Sequence, residues 1–471
     1  MSPAVSLDRA AGRVVVVGAG PAAHRLVAKL RSGGHAGPIT VLGAEDRPAY
    51  NRVLLGSVLD GSLPAEALAM PELDAEVRTA SPVTDLNRAQ RRVRTADGRE
   101  FGYDVLVLAT GARPVLPRLP GLADEQLTAL RTLRDCERLA ELDGPIAVLG
   151  GGILGVEAAR GLLARGHRVS LVHPQQHLME RQIDETAGRL LADRLGKLGV
   201  DLRLGVRAVG HRSGALVLDD GTEVPARLVL ACAGVRPETA LAQRAGLRVE
   251  RGVLVDAQLR TSDPAVHAIG DCAEHAGSAP GSVSAAWQQA ETLAGLLTGG
   301  RAEYRCTRAV TRLKARGIDL ASIGSVEQLV STDAEVVTLS DPARGRYARL
   351  ALHAGRISGA VLVGFPEAIA AVGQLHDRDL PMPSDRLALL LGTPAAVPGA
   401  PVELPEDAVV CRCNNVTKKS LTAAWHGGAR TVAELAKSTR ATTGCGSCVD
   451  DVGAVCSALA DRIESEREGA A

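Results

Sequence analysis

The sequence predicts an α/β protein with two Rossmann-like domains, a small α+β domain and a small helical domain. The β-branched run at 13–17 and the run at 146–149 each lead directly into a glycine-rich turn and a helical stretch, which predicts the two large domains. A CxC and a CxxC cysteine pair near the C-terminus predict a metal site in the last domain. With 471 residues, of which 46% are hydrophobic, the chain is long enough to form several separate cores.

The first glycine-rich turn has the GxGxxA arrangement of a dinucleotide fingerprint, with Gly18, Gly20 and Ala23 at its defining positions. The first glycine allows a tight turn, the second lets the backbone approach a pyrophosphate, and the small third residue lets the helix pack on the strand. Pro21 and Ala22 complete the turn and open the helix. We therefore expect the phosphates of a dinucleotide at the N-terminus of this helix, where unpaired amides favour an anion.

A second fingerprint has GxGxxG spacing, with Gly150, Gly152 and Gly155 at its defining positions and Ile153 and Leu154 at the start of the helix. One such motif is weak evidence, because a glycine-rich turn without a ligand can have the same spacing. Two copies, each between a strand and a helix, predict two bound dinucleotides.

Residues 300–391 carry alternating strand patterns followed by a helical pattern, which predict a small α+β domain. The proline-containing stretch 392–407 is the predicted linker to the cysteine-bearing domain, and we expect it to allow that domain some movement. Beyond it, helical patterns run over 418–425 and 432–438, with two glycines between them that can turn the chain back.

Four cysteines near the C-terminus, Cys411, Cys413, Cys445 and Cys448, form two pairs separated by 31 residues. Four thiolates complete the ligand shell of a 2Fe-2S cluster, and the same set can close a tetrahedral zinc site. The surrounding sequence, including NNVT after the first pair and TGCGSC at the end, resembles the bacterioferritin-associated-ferredoxin-like 2Fe-2S domain along its whole length. That resemblance implies a 2Fe-2S cluster held by all four cysteines.

The composition argues against nucleic-acid and membrane partners. The chain has 54 basic and 54 acidic residues without a long block of like charge, and its aromatic content of 2% leaves few platforms for stacking bases. There is neither a basic N-terminal segment with an apolar core nor a run of about 18 apolar residues. Since the remaining cysteines are also scattered, we expect a cytoplasmic protein without disulfides.

Two further segments resemble the ATG and GD motifs of two-dinucleotide flavoprotein reductases. The first, 104–114, contains Thr110 and Gly111, and the second, 261–275, contains Asp271. The resemblance implies that Asp271 binds the ribityl and pyrophosphate part of FAD and that the second fingerprint binds NAD(P)H. Because the FAD motifs flank the second fingerprint, the NAD(P) domain is expected as an insertion whose exit lies near Gly234.

The segments 39–61, 281–299 and 311–325 extend the resemblance to nearly the whole chain. They resemble the N-terminal half of the large subunit of assimilatory NAD(P)H nitrite reductases and related nitrate reductase electron-transfer subunits. The domain order of that family implies an FAD-binding domain at 12–124 and 245–299, an NAD(P)-binding domain at 125–244, a small α+β domain at 300–391, a linker at 392–407 and a 2Fe-2S ferredoxin-like domain at 408–471.

Several side chains are assigned through this resemblance. Arg47 and Arg52 lie in the segment that contacts the flavin in the family, although either can equally be a surface arginine. The acid expected at the end of the second strand, which would bind the FAD ribose, is replaced by glycine, and Glu45 is the nearest candidate. Glu157, near the start of the helix after the second fingerprint, is expected to contact the nicotinamide side of NAD(P)H.

His173 stands where the NAD domain commonly has an acid that accepts the ribose hydroxyls and repels the phosphate of NADPH. With His177 and Arg181 nearby, this position could tolerate that phosphate, and His173 could equally be an ordinary surface histidine. The preference between NADH and NADPH therefore stays open.

The sequence also lacks the parts that two related activities need. No cysteine occurs between Gly18 and Cys136 to take electrons from the flavin, which argues against dithiol chemistry and against a thiol-peroxide reductase. The sirohaem-binding half of full-length nitrite reductases is also missing, so we do not expect this chain alone to reduce nitrite. The resemblance predicts electron transfer from NAD(P)H through FAD and the cluster to a nitrate or nitrite reductase catalytic subunit, without a general acid or base. Two alternatives stay open: an NAD(P)H reductase for a ferredoxin, rubredoxin or oxygenase, and a non-catalytic iron or redox sensor.

Overall fold

The computed structural model describes residues 11–279, 281–305, 310–329, 333–391, 404–411, 414, 416–442 and 448–468. The chain forms two compact units. Unit 1 consists of Met1–Arg52, Ala65–Arg131 and Leu230–Ala309, and unit 2 consists of Val53–Pro64, Thr132–Val229 and Val310–Ala471. In the part of the chain that is described, no helix has both the length and the apolar character needed to cross a membrane.

The strands and helices of the described residues are numbered in chain order. The strands are β1 (Val14–Val17), β2 (Ile39–Leu42), β3 (Glu76–Arg78), β4 (Val83–Asn87), β5 (Arg92–Thr95), β6 (Glu100–Gly102), β7 (Val105–Leu108), β8 (Ala112–Pro114), β9 (Leu127–Ala129), β10 (Ile146–Leu149), β11 (Val169–His173), β12 (Asp201–Leu204), β13 (Ala208–Arg212), β14 (Ala215–Leu218), β15 (Glu223–Pro225), β16 (Leu228–Ala231), β17 (Val235–Pro237), β18 (Val253–Val255), β19 (Val266–Ala268), β20 (Ala273–His275), β21 (Val310–Arg312), β22 (Leu320–Ile323), β23 (Glu335–Asp341), β24 (Arg346–His353), β25 (Arg356–Val363), β26 (Val409–Cys411) and β27 (Val416–Thr417). The helices are α1 (Pro21–Ser32), α2 (Leu55–Leu59), α3 (Leu133–Ala140), α4 (Ile153–Ala164), α5 (Glu185–Leu198), α6 (Ala240–Arg244), α7 (Val283–Leu297), α8 (Val326–Leu329), α9 (Pro366–Asp377), α10 (Arg386–Leu391), α11 (Lys418–His426), α12 (Val432–Thr439) and α13 (Val449–Glu468).

Unit 1 is built on a parallel five-stranded sheet in the order β19-β7-β1-β2-β3. Along the central strand β1, Val14 and Val16 belong to the hydrophobic core that includes α1 and α7, whereas Val15 and Val17 belong to the core that includes β4 and β5. Both faces of the sheet are therefore covered, so an uninterrupted run of valines is fully buried.

Unit 2 contains the second parallel layer, in which β11 lies between β10 and β12. The antiparallel strands β13, β14 and β15 follow it along the chain. The small α+β domain forms an antiparallel sheet in the order β21-β22-β25-β24-β23, and α9 contacts β25 and β22 of that sheet. Buried residues of the sheet and of α9 share one hydrophobic core.

The C-terminal region of unit 2 contains the short antiparallel pair β26 and β27 and three helices that contact one another. The helices predicted at 418–425 and 432–438 are confirmed as α11 and α12, each one residue longer than predicted. The predicted α/β fold class is likewise confirmed. The two units alternate along the chain, and Val53–Pro64, which lies within the predicted FAD-binding domain, belongs to unit 2. The predicted domain boundaries stay predictions.

Candidate functional site

The turn after β1 depends on a glycine at its first position. Gly18 has a φ of +108°, and its N–H donates a hydrogen bond of 2.8 Å to the carbonyl oxygen of Leu42. A Cβ atom built on Gly18 would overlap the backbone carbonyl of Ala109, which follows β7. Both the positive φ and the close approach of a neighbouring strand exclude a side chain here.

The N-terminus of α1 has open space in front of it and no capping side chain. Gly20 is the N-cap residue in an extended conformation, and a Cβ atom built on it meets no protein atom within 4 Å. Pro21 occupies the first turn, while Ala22 and Ala23 are buried where the helix packs on the sheet. By contrast, α7 in the same unit is capped by the Ser282 side chain. Unpaired amides that face open space fit the pyrophosphate of a dinucleotide.

Asp271 belongs to a chain of polar contacts that the sequence did not predict. Its Oδ2 accepts a hydrogen bond of 2.7 Å from Arg131, 140 residues away in sequence. The carbonyl oxygen of Arg131 accepts a hydrogen bond of 3.0 Å from Arg52, whose guanidinium also pairs with Glu45. Glu45 also accepts a hydrogen bond of 2.7 Å from the Tyr50 hydroxyl. The predicted flavin-site residues Asp271, Arg52 and Glu45 are thus brought into one network, and Arg131 is its additional member.

Gln289 supports the backbone immediately before Asp271. Its side-chain oxygen accepts a hydrogen bond of 2.7 Å from the N–H of Gly270, and the residue is only 1% exposed. Its side-chain nitrogen is buried and has no acceptor among the described residues. Cys272, which follows Asp271, is buried, and its thiol donates to the carbonyl oxygens of Leu108 and Ile269. Burial raises the pKa of that thiol.

The remaining predicted residues of unit 1 lie in backbone connections: Thr110 and Gly111 from the predicted FAD domain, and Gly234 from the predicted exit of the NAD(P) domain. The Thr110 hydroxyl donates a hydrogen bond of 2.7 Å to the carbonyl oxygen of Glu238, whose N–H donates to the carbonyl oxygen of Gly111. Gly234 has a φ of +97°, and a Cβ atom built on it meets nothing within 4 Å. The side chain of Thr110 is therefore engaged within the protein, while the backbone at Gly234 is open.

The second glycine-rich turn repeats this geometry in unit 2. Gly150 has a φ of +113° and donates its N–H to the carbonyl oxygen of Val172. Gly152 is the N-cap residue of α4, again without a capping side chain and with no protein atom within 4 Å of a built Cβ. Gly155 is buried, whereas Leu154 is exposed at the start of the helix, where Ile153 occupies the first position. This helix start also fits a pyrophosphate.

His173 lies inside the protein and not on its surface. It is 5% exposed, its Nδ1 is 3.0 Å from the backbone nitrogen of Gly151, and its Nε2 is 3.0 Å from Oε2 of Glu180. Both ring nitrogens are therefore engaged. This geometry argues against a direct contact between His173 and a nucleotide phosphate. Arg181 is exposed, and His177 is partly exposed with its Nδ1 3.1 Å from the carbonyl oxygen of Leu178.

Glu157 is buried in α4, and its partner comes from the small α+β domain. Its Oε1 accepts a hydrogen bond of 2.8 Å from the backbone N–H of Lys314, and the Lys314 ammonium is 3.8 Å from the same oxygen. The predicted contact with nicotinamide stays a prediction. A buried carboxylate needs hydrogen-bond partners, and the Lys314 N–H is one. This contact gives Glu157 a structural role that the sequence did not indicate.

Two of the four predicted iron ligands can be placed. Cys411, at the end of β26, and Cys448, immediately before α13, are both buried, and β26 contacts α13. The carbonyl oxygen of Cys448 accepts a hydrogen bond of 2.9 Å from the N–H of Val452, within the first turn of that helix. Cys413 and Cys445 lie outside the described residues, as do residues 392–403 of the predicted linker. Buried thiols in elements that contact each other fit a cluster ligand set.

Comparison with protein families assigns most of the chain. Residues 12–290 match the pyridine nucleotide-disulphide oxidoreductase family, residues 310–371 match the rubredoxin NAD⁺ reductase C-terminal domain, and residues 409–456 match the BFD-like 2Fe-2S binding domain. The last match begins just before Cys411 and ends beyond Cys448. FAD and NAD(P)H are therefore cofactors of this chain, and the metal group of its C-terminal domain is a 2Fe-2S cluster and not zinc.

Individual relatives agree with this assignment. A nitrite reductase [NAD(P)H] of Bacillus subtilis (strain 168) is 32% identical over 93% of this chain and 56% of the relative, and an assimilatory nitrate reductase electron transfer subunit of the same strain is 32% identical over 93% and 58%. This chain thus spans little more than half the length of either relative. The crystal structure of the covalent putidaredoxin reductase-putidaredoxin complex superposes with a TM-score of 0.71 at 27% identity, covering 82% of this chain and 99% of that chain.

Proposed function

The chain belongs to the pyridine nucleotide-disulphide oxidoreductase family, and from that membership we propose that it carries electrons from NAD(P)H, through FAD and its own 2Fe-2S cluster, to a protein acceptor. We take the acceptor to be the catalytic subunit of an assimilatory nitrate or nitrite reductase, and the cytoplasm to be the compartment. The observation that carries the proposal is the presence in one chain of two uncapped glycine-rich helix starts and a cysteine domain.

The residues of this chain contribute to the proposed function by binding and orienting the cofactors. The open N-terminus of α1 at Gly20 would hold the FAD pyrophosphate, and the open N-terminus of α4 at Gly152 would hold that of NAD(P)H. Asp271, fixed by Arg131 and preceded by the Gln289-supported backbone, would bind the sugar part of FAD. When bound, FAD supplies two-electron hydride chemistry and the cluster supplies one-electron transfer, which side chains cannot provide.

The proposed acceptor rests on the names of the two Bacillus subtilis relatives. One is a nitrite reductase and the other an electron transfer subunit of an assimilatory nitrate reductase, and both match this chain over 93% of its length. A second candidate acceptor is a small electron carrier such as a ferredoxin. It is favoured by the similarity to putidaredoxin reductase in complex with putidaredoxin and by the rubredoxin NAD⁺ reductase domain at 310–371.

An anaerobic reduction experiment on the full chain, loaded with FAD and cluster, tests the electron path. NADH or NADPH should bleach the absorbance of both flavin and cluster. Cys411→Ser and Cys448→Ser should leave flavin reduction intact but abolish electron delivery to an acceptor, because each removes one iron ligand. Cys456→Ser is the matched control, since its thiol lies on α13 and donates to the carbonyl oxygen of Arg430.

The outcome separates the candidate functions. A cluster that stays oxidised while the flavin is reduced would contradict the proposed path and favour a redox sensor. The acceptor is tested by supplying the reduced chain with a purified assimilatory nitrate reductase, a sirohaem nitrite reductase or a ferredoxin. Faster reduction of ferredoxin than of either reductase would transfer the proposal to the second candidate.

A further inference from the structure

One tautomer of His173 is selected by its two hydrogen-bond partners. The N–H of Gly151 donates to Nδ1 at 3.0 Å, and Nε2 is 3.0 Å from the Oε2 atom of Glu180. Because a backbone N–H can only donate, Nδ1 must accept and therefore carries no hydrogen. The hydrogen of the neutral imidazole is then on Nε2, from which it is donated to the carboxylate of Glu180.

Gly151 is enclosed by the segment from His173 to Glu180. Its carbonyl oxygen accepts a hydrogen bond of 2.9 Å from the N–H of Met179, and a Cβ atom built on it would lie 2.7 Å from Cγ of His173 and 2.6 Å from Cδ2 of Leu178. Met179 is fully buried with a φ of +54°, a conformation that persists only where its surroundings enforce it. Both backbone polar groups of Gly151 are thus fixed by this segment.

We propose that His173 is a positioning residue for nucleotide binding. By holding the amide of Gly151, it fixes the turn between Gly150 and Gly152, so that the open N-terminus of α4 is oriented before the nucleotide arrives. Preorganisation of this kind strengthens binding because less conformational freedom is lost when the ligand binds. The inference rests on the proposed NAD(P)H site and deepens it.

The same geometry indicates that His173 does not bind the ribose of the nucleotide. The position at the end of β11 is filled by a buried imidazole whose two nitrogens are already engaged, so no carboxylate there accepts the ribose hydroxyls. His173 occupies the position where such an acid is common, and it holds the glycine turn through its hydrogen bond with Gly151. His173 therefore acts on the nucleotide through Gly151.

Binding of NAD⁺ to the FAD-loaded full chain tests this role without turnover. His173→Leu removes the acceptor for the Gly151 amide and should raise the Kd for NAD⁺, measured by titration calorimetry, about tenfold, as expected for one lost buried hydrogen bond. His173→Asn keeps an acceptor near the position of Nδ1 and should bind within about threefold of wild type. At saturating NADH, flavin reduction in His173→Leu should proceed at the wild-type rate, which places the loss in KM and not in kcat.

His211→Leu is the matched control. His211 is also buried in unit 2, and its Nε2 is 2.9 Å from the carbonyl oxygen of Ala226, so its loss tests general destabilisation without touching the turn. If His211→Leu weakens NAD⁺ binding as much as His173→Leu does, the proposal is overturned. It is also overturned if His173→Leu binds NAD⁺ as tightly as wild type, or if His173→Asn binds as weakly as His173→Leu.

A measurement on the wild type keeps the proposal testable even if the leucine variant does not fold. Nitrogen chemical shifts of protein labelled with ¹⁵N-histidine distinguish the two tautomers, and a hydrogen on Nδ1 of His173 would overturn the proposal. Failure of the proposed function has a different signature. A wild-type chain that binds NAD⁺ but whose flavin is not reduced by NADH or NADPH contradicts electron transfer and leaves the role of His173 supported by the binding data.

Discussion

Alanine substitutions at the two glycines of the first fingerprint should separate folding from FAD binding. Gly18 has a φ of +108°, where an L-residue costs about 1–2 kcal/mol. The added Cβ would also overlap the backbone carbonyl of Ala109, and overpacking of this kind typically costs about 1–3 kcal/mol. Gly18→Ala should therefore lower the free energy of unfolding of the FAD-free protein by about 2–5 kcal/mol.

Gly20→Ala should leave the stability nearly unchanged and weaken FAD binding. The backbone at Gly20 has φ −84° and ψ −176°, which any residue adopts, and a built Cβ meets no protein atom within 4 Å. The unfolding free energy of the FAD-free protein should change by less than about 1 kcal/mol, in favour of alanine, because the unfolded chain loses conformational freedom. The same methyl group enters the space in front of α1, so the Kd for FAD should rise about 10- to 100-fold, or about 1.4–2.8 kcal/mol.

The two tryptophans of the chain allow unit 1 to be followed on its own. Trp287 lies in α7 of unit 1 and Trp425 in α11 of unit 2, so a Trp425→Phe background leaves one probe for unit 1. Urea unfolding of the FAD-free protein gives the stability, and flavin fluorescence on titration gives the Kd. Equal losses of stability for Gly18→Ala and Gly20→Ala, or unchanged FAD affinity in Gly20→Ala, would refute the reasoning.

Three further predictions concern buried side chains. Tyr347→Phe should lower the unfolding free energy of unit 2 by about 1.5–3 kcal/mol, because the hydroxyl donates to the Asp184 carboxylate. Burial raises the pKa of Tyr347 to about 12 from its usual 10.0, so wild-type stability should fall as the pH rises through this window, and urea unfolding at each pH should show a smaller fall in the variant. Burial also raises the pKa of Cys136 to about 12, so iodoacetamide should label the partly exposed Cys456 in the native state and Cys136 only after unfolding, as read by mass spectrometry. Gln289→Leu should weaken FAD binding about tenfold, seen as flavin lost on gel filtration, and full retention of the flavin would contradict its supporting role.

The parts of the molecule that could be predicted from the sequence are those whose chemistry resides in the local backbone. A strand buried on both faces appears as an uninterrupted apolar run, as β1 does, and a tight turn that requires a positive φ appears as glycine, as at Gly18 and Gly150. The cysteine pairs are similarly local, because each pair lies within four residues. These patterns sufficed to predict the fold class, whereas the choice of FAD, NAD(P)H and a 2Fe-2S cluster came from the family resemblance.

Residues whose role depends on a partner from a distant segment could not be predicted. Arg131 is one of many arginines in the sequence, and only folding brings it to Asp271, 140 residues away. Gln289 is a polar residue in a helical pattern, where nothing indicates that it is buried against the N–H of Gly270. The closest available signal for Gln289 is its position on the apolar face of α7, where a polar side chain requires a partner.

His173 lies between these two cases and shows where sequence interpretation of a nucleotide site is weakest. The absence of an acid at the end of β11 is a local fact, and the sequence revealed it. The role of the residue found there is not local, since it depends on the contacts of its ring nitrogens with the Gly151 N–H and with Glu180. It depends also on the Met179 N–H, which donates to the carbonyl oxygen of Gly151. A missing ligand-binding residue therefore does not by itself indicate a changed ligand preference, because the substituted side chain can serve the same ligand by holding the backbone that binds it.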